Sequence, residues 1–253
     1  MDTLLQIMSI KKFKNLYSGQ RCFIIGNGPS LKNTDLDLIK NEFSFAMNRI
    51  RMIFDQTIWR PTFYSCTTTN IHRQDWKKDI FYMQNFDIPF FIWDKLAEET
   101  SDFKFTKNTF LLNCSNGEQV TDDANDDWWS WDPSRRVTKF GSSIVVSFQL
   151  AAYMGFKEIY LLGTDLNFKD SNIQKFLKKI GLKEFSQKFD KNHFDNSYGT
   201  PGLPSNALNQ NMLSVHKLIN KMTKSAGIKV YNSTKGGELE IYERICLEDI
   251  DLK

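Results

Sequence analysis

The chain has 253 residues, 41% of them apolar and 25% charged, with a net charge of only +3. This is the balance of an ordinary globular protein with a sizeable core. It speaks against nucleic acid as a partner, since that needs a concentrated basic stripe. Four cysteines (Cys22, Cys66, Cys114, Cys246) show no CxxC or zinc spacing, and the first two lie in apolar runs. Buried, reduced thiols in a cytoplasm are the expectation.

In chain order, the N-terminus carries an apolar stretch of about eight residues followed by lysines, too short to span a bilayer and in the wrong order for a secretory signal. Residues 1–20 read as a helix that either packs on the domain or touches the inner membrane peripherally. Residues 21–253 read as one domain. Its first strand, Cys22–Ile25, runs into Gly26-Asn27-Gly28-Pro29-Ser30, and helix signals follow from Leu31 to Lys40. Strands are expected at Ser44–Met47, Thr62–Cys66, Pro89–Trp93 and Thr109–Leu112, and a tryptophan-rich loop over 116–136. A helix runs from Gly141 to Gly155, then a strand at Glu158–Gly163 ends in Thr164-Asp165. The Lys-, Asn- and Phe-rich piece from Leu166 to Pro204 reads as an irregular lid insert. A helix over Ser205–Ala226 and a strand over Lys229–Tyr231 follow. Alternating strands and helices imply an α/β fold: a mainly parallel sheet with helices on both faces.

Candidate chemistry sits where strands end. Gly26, Asn27, Gly28 and Ser30 form the first strand–helix turn, where glycines let backbone approach a phosphate at a helix N-terminus. The third glycine of a dinucleotide fingerprint and the GK[ST] of a P-loop are missing, so a tight turn that binds nothing is the other reading. Asn48 reads a ribose or base edge, or closes a turn. Thr67, within Thr67-Thr68-Thr69, offers hydroxyls to sugar or phosphate, or is a Thr-rich turn. Asp165 is a functional carboxylate or a turn cap. His193, in the insert, suits a general base near neutral pH, oriented by Asp190 or Asp195, or is an exposed loop histidine. His72 and His216 are assigned no role. Asp122-Asp123 and Asp126-Asp127 read as a solvated loop, and no metal site is expected. Arg135 and Arg136 can grip a carboxylate or phosphate by their forked geometry, or lie on the surface.

Taken in order, GNGPSLK, a strand ending in Asn, TxxGSS opening a helix, GFKEIYLLGTD and NHF resemble one superfamily. It comprises the bacterial sialyltransferases of glycosyltransferase family 42 and the motility-associated-factor proteins, and its core is shared by archaeal pterin diphosphokinase-like proteins. The resemblance covers roughly residues 21–243. It implies a Rossmann-like, modified GT-A fold binding a CMP-activated sugar, a sialic-acid-like nonulosonate, without a cofactor or catalytic metal. It implies nucleotide contacts from Asn27 and Asn48, a CMP contact from Ser142 or Ser143, and His193 as base on the hydroxyl of a surface-glycan acceptor, with inversion at the anomeric carbon. One departure stands out. The sialyltransferases stabilise the leaving phosphate with two lid tyrosines, and this chain has Leu166, Asn167 and Phe168 after Asp165. Tyr198 is the candidate substitute, with Arg136 a further leaving-group or acceptor contact. Two other readings stand beside transfer of a CMP-linked sugar: an ATP- and Mg²⁺-dependent pyrophosphoryl transferase on a pterin-like alcohol, and a non-catalytic nucleotide- or glycan-binding module. The partners this implies are a nucleotide sugar and a glycan acceptor, with a homo-oligomer as a further reading.

Overall fold

Short aromatic and β-branched runs build the strands, as expected where both faces of a sheet are covered. A computed structural model describes residues 9–115, 126–139, 142–186, 189, 191–198 and 205–253. In it, β1 (Arg21–Ile25), β2 (Ser44–Met47), β3 (Phe63–Cys66), β4 (Phe90–Trp93) and β5 (Thr109–Leu112) lie side by side. A two-stranded patch, β6 (Cys114–Ser115) with β7 (Val137–Thr138), stands apart. The chain then returns to the other side of β1 with β8 (Glu158–Leu162), followed outward by β9 (Lys229–Asn232) and β10 (Glu243–Arg244). Every pairing in the eight-stranded sheet, ordered β10-β9-β8-β1-β2-β3-β4-β5, is parallel. All carboxyl ends therefore share one edge, and the order reverses between β1 and β8.

The faces are packed by aromatic rings. Phe45, Phe63, Phe91 and Phe110 share one face, and Phe13, Tyr17 and Phe156 pack on it. Tyr64 and Phe90 point the other way, where Phe103 joins them to Phe81 of α1 (Gln74–Tyr82). The second helix, α2 (Asp94–Glu99), links β4 to β5. On the first face lies α3 (Ser143–Met154), ended by the left-handed Gly155. The N-terminal segment docks against its end, with Asn15 and Tyr17 donating to the Tyr153 and Met154 carbonyls. A 3₁₀ turn at Ile10–Phe13 buries both terminal residues, so this part of the N-terminal segment packs on the domain.

Several expectations change. Leu31–Lys40 is not one helix but two 3₁₀ turns, Pro29–Asn33 and Leu36–Ile39, because Thr34 is extended and the Asp35 side chain caps the second turn. The insert is not irregular throughout: it holds α4 (Asn172–Lys179), begun by a Ser171/Gln174 capping box, and α5 (Lys183–Ser186). The helix after it is α6 (Ser205–Ser225). Three thiols are buried, but Cys246 is exposed; all four are free. Residues 1–8 and 116–125, Gly141, Asp190 and 199–204 lie outside the described residues. No described helix is long and apolar enough to cross a membrane.

Candidate functional site

A cavity of about 460 Å³ opens at the carboxyl edge beside the reversal between β1 and β8, where open α/β sheets bind ligands. Its β1/β8 wall is tightly knit. Gly26 and Gly28 donate their N–H groups to the Leu162 and Gly163 carbonyls, at 2.7 and 2.8 Å. A Cβ on Gly26 would strike the Gly163 carbonyl, and one on Gly28 the Asp165 carboxylate. Close backbone packing thus requires both glycines whether or not a ligand is bound. Ser30 donates its N–H and hydroxyl to the two Asp165 oxygens, at 3.1 and 2.8 Å. A side-chain carboxylate therefore occupies the start of the 3₁₀ turn. Burial pushes the Asp165 pKa up, while the Ser30 bonds and nearby His193 act in the opposite direction. Leu166, next in line, holds a left-handed backbone (φ 50°) on the cavity wall, an uncommon conformation for a bulky side chain. Asn27 donates from Nδ2 to the Met47 carbonyl, and its buried Oδ1 has no hydrogen-bond partner among the described residues.

The wall under β2 and β3 is hydroxyl-rich. Asn48 is also left-handed (φ 55°), which Asn tolerates, and its Oδ1 accepts from the Ser143 hydroxyl at 3.3 Å. The Thr67 hydroxyl donates to Ser143 at 3.2 Å. Between them sits a residue that sequence reading passed over. Lys139 reaches back so that its Nζ donates to the Thr67 carbonyl and lies 3.4 Å from the Trp93 ring centroid. No carboxylate among the described residues pairs with it, and burial lowers its pKa. Buried Gln149 fixes its place by bonding the Thr138 N–H, hydroxyl and carbonyl. Ser142, Ser143 and Ile144 bring the N-terminus of α3 to the same wall, and among the described residues no side chain caps it. Lysine, hydroxyls and uncapped helix end together favour an anion. Cys66, behind them, is pushed up to about 12 by burial and is an inert thiol at neutral pH.

Asn192, His193 and Tyr198 of the insert line a third side. His193 is almost buried, stacked on Tyr198 with centroids 4.1 Å apart and planes 2° from parallel. The segment is latched from below: Phe194 donates to the Asn27 carbonyl, and Arg49 donates to the carbonyls of Ser197 and Tyr198 at 3.0 and 2.7 Å. Arg49 is itself fixed by Asp79 at 2.6 Å. Asp195 Oδ1 accepts from the N–H and hydroxyl of Ser197 in its own turn, and Asp165 lies near enough to His193 for the imidazole to act on its pKa. His216 also lines the cavity and is fully buried. The Tyr242 hydroxyl donates to the His216 carbonyl, so its oxygen accepts from Nδ1, 3.0 Å away, which carries the ring proton. Nε2 is then an acceptor with no partner among the described residues. Burial pushes this imidazole down to about 3, so it is neutral.

The structure thus brings Gly26, Asn27, Gly28, Asn48, Thr67, Ser142, Ser143, Asp165, His193 and Tyr198 to one cavity. Ser30 lies just behind it, against Asp165. Arg136 does not reach it: exposed, it bonds the Asp127 carbonyl, and Lys139 is the cation present instead. The signal for Lys139 lay in its place before GSS, between a two-residue strand and a helix start. His216 gave none, being one polar residue in a long helix.

An all-parallel sheet with a polar cleft at its reversal point defines an α/β protein of the Rossmann-like class. The family model described as 6-hydroxymethylpterin diphosphokinase MptE-like matches residues 1–171, and the chain belongs to this MptE-like family. The match takes in the glycine loop, Lys139 and Asp165, and ends before His193. No curated protein matches the chain.

Proposed function

We propose that the protein is an inverting glycosyltransferase that uses a CMP-activated, sialic-acid-like sugar. The observation that carries this reading is a charge count: Lys139 is the only lysine or arginine on the described cavity wall, beside an uncapped helix end. That suits the single phosphate of a nucleoside monophosphate leaving group. In the proposed reaction, an acceptor hydroxyl attacks the anomeric carbon in line as the bond to the CMP phosphate breaks. His193 takes the hydroxyl proton, and Lys139 with the N-terminus of α3 takes the charge that stays on CMP. Tyr198 orients the imidazole by stacking, and the lid excludes water. Asn27, Asn48 and Thr67 are the polar groups for the nucleoside.

The family match favours a second reading, pyrophosphoryl transfer to a pterin-like alcohol. There the hydroxyl would attack the β-phosphorus of ATP and AMP would leave. That chemistry depends on Mg²⁺. The described wall offers one carboxylate, Asp165, with both oxygens engaged by Ser30, a poor donor set for a protein-held ion.

One experiment separates the readings. CMP is expected to raise the melting temperature without added metal, and CMP-sugar to be slowly hydrolysed in EDTA, with turnover lost in His193→Ala. Magnesium-dependent AMP release from ATP would establish the second reading instead. Nucleotide binding unchanged in His193→Ala, with no turnover of any donor, would mark a non-catalytic module.

A further inference from the structure

Of the large apolar side chains exposed among the described residues, five fall between Ile173 and Phe185. Ile173, Phe176, Ile180, Leu182 and Phe185 are each 47–61% exposed. On α4 the first two, extended by Ile180 just past its end, recur at helical spacing and share one face, while Gln174 and Leu177 point inward and are buried. The helix is well formed: its capping box starts it, Lys178 is tied to Asp170 at 2.8 Å, and α5 packs against it. The outward apolar face of α4 therefore belongs to a folded helix, and among the described residues nothing covers Ile173, Phe176 and Ile180.

Charge points to what covers it. Residues Lys169 to Lys191 contain seven lysines and three acidic residues, a net +4 against +3 for the whole chain, so the remainder sums to −1. Lys175 and Lys179 are exposed beside the apolar face. An apolar helix face flanked by lysines is the pattern of a segment that lies in a bilayer interface and favours anionic headgroups. A soluble partner or second copy would be equally served by the apolar face but would not need the concentrated positive charge.

We propose that the α4–α5 pair docks the protein on an anionic lipid surface. The pair adjoins the cleft: Phe168, four residues before α4, lines the cavity, and the Lys169 N–H donates to the side chain of Asn192, beside His193. Docking therefore sets the lid side of the cleft against the headgroups, within reach of a lipid-carried substrate. This inference is independent of which nucleotide the cleft takes.

The test is sedimentation of the full chain with vesicles of phosphatidylcholine alone or mixed with phosphatidylglycerol. The expectation is pelleting with the anionic vesicles, weakened by salt, and reduced roughly tenfold or more in a Phe176→Glu/Ile180→Glu double variant. Both positions are exposed, so the variant should keep the wild-type melting temperature. A Phe176→Trp variant should show a blue-shifted emission on anionic vesicles, which surface adhesion by lysines alone would not give. Failure of the wild type to pellet, equal pelleting of the double variant, or an unshifted tryptophan would overturn the proposal. So would light scattering that shows a wild-type dimer made monomeric by the double substitution, which would make the face an interface between copies.

Discussion

At the scale of single residues, Gly26 illustrates how one feature has two physical explanations. A glycine after the first strand suggests backbone approach to a phosphate, but here the close approach is to the Gly163 carbonyl of the neighbouring loop. Gly26→Ala should therefore cost roughly 1–3 kcal/mol of stability by overpacking, with or without nucleotide. Urea unfolding measures this; a variant as stable as wild type but unable to bind would return the glycine to a ligand role. His216 makes a second prediction. Its folded-state pKa of about 3 lies below the unfolded value of about 6.5. Between these pH values the unfolded chain holds the extra proton, so stability is full above the window and falls as pH drops through it. From pH 6.5 to 4.5 this should cost ~2–3 kcal/mol more in wild type than in His216→Gln. Parallel urea titrations at the two pH values read the difference directly, because the carboxylates contribute alike to both proteins.

At the scale of elements, legibility followed local periodicity. Strands such as Thr109–Leu112 and the span of α3 were readable because buried parallel strands are continuous apolar runs and Gly155 marks the helix end. The turns after Gly28 were not, since Leu31, Leu36 and Ile39 mimic helical spacing while Thr34 and Asp35 break it by local hydrogen bonding. The helix α1 was missed because its buried apolar residues, Trp76 and Ile80, are diluted by charged neighbours. One of those neighbours, Asp79, anchors Arg49, whose two carbonyl bonds hold the lid. That latch joins residues far apart in sequence, so no local pattern announces it. It predicts that Arg49→Lys, a point charge unable to serve Asp79 and both carbonyls, costs roughly 1–3 kcal/mol. Hydrogen exchange should show the loss first at the Phe194 and Tyr198 amides, which lie in the latched segment. Uniform loss of protection across the sheet would mean that Arg49 is only a general core residue.

At the scale of the whole molecule, the sheet order decides where every candidate residue can meet. Strands β1 to β5 step one way and β8 to β10 the other, so the loops after β1, β2, β3 and β8 converge with the start of α3. Residues as distant as Asn27, Ser143 and Asp165 thereby share a cleft, and this was legible once a parallel sheet was inferred; that Lys139 joins them was not. Which charge dominates there was not, because the balance depends on Asp165 turning to Ser30 and Lys139 turning to Thr67. With its one described carboxylate engaged by Ser30, the charge that the described wall offers a ligand is centred on Lys139. Lys139→Met should therefore weaken nucleotide binding by roughly tenfold to a hundredfold, the loss expected for a charge-assisted phosphate contact. Fold stability should hardly fall, since the ammonium meets a ring and a carbonyl rather than a carboxylate. The wild type should bind CMP less tightly as salt rises, and the variant should lose much of that dependence. Calorimetric titrations at two ionic strengths test both statements. Equal affinity and equal salt dependence in the two proteins would move the phosphate away from Lys139 and remove the charge count on which the choice of a monophosphate donor rests.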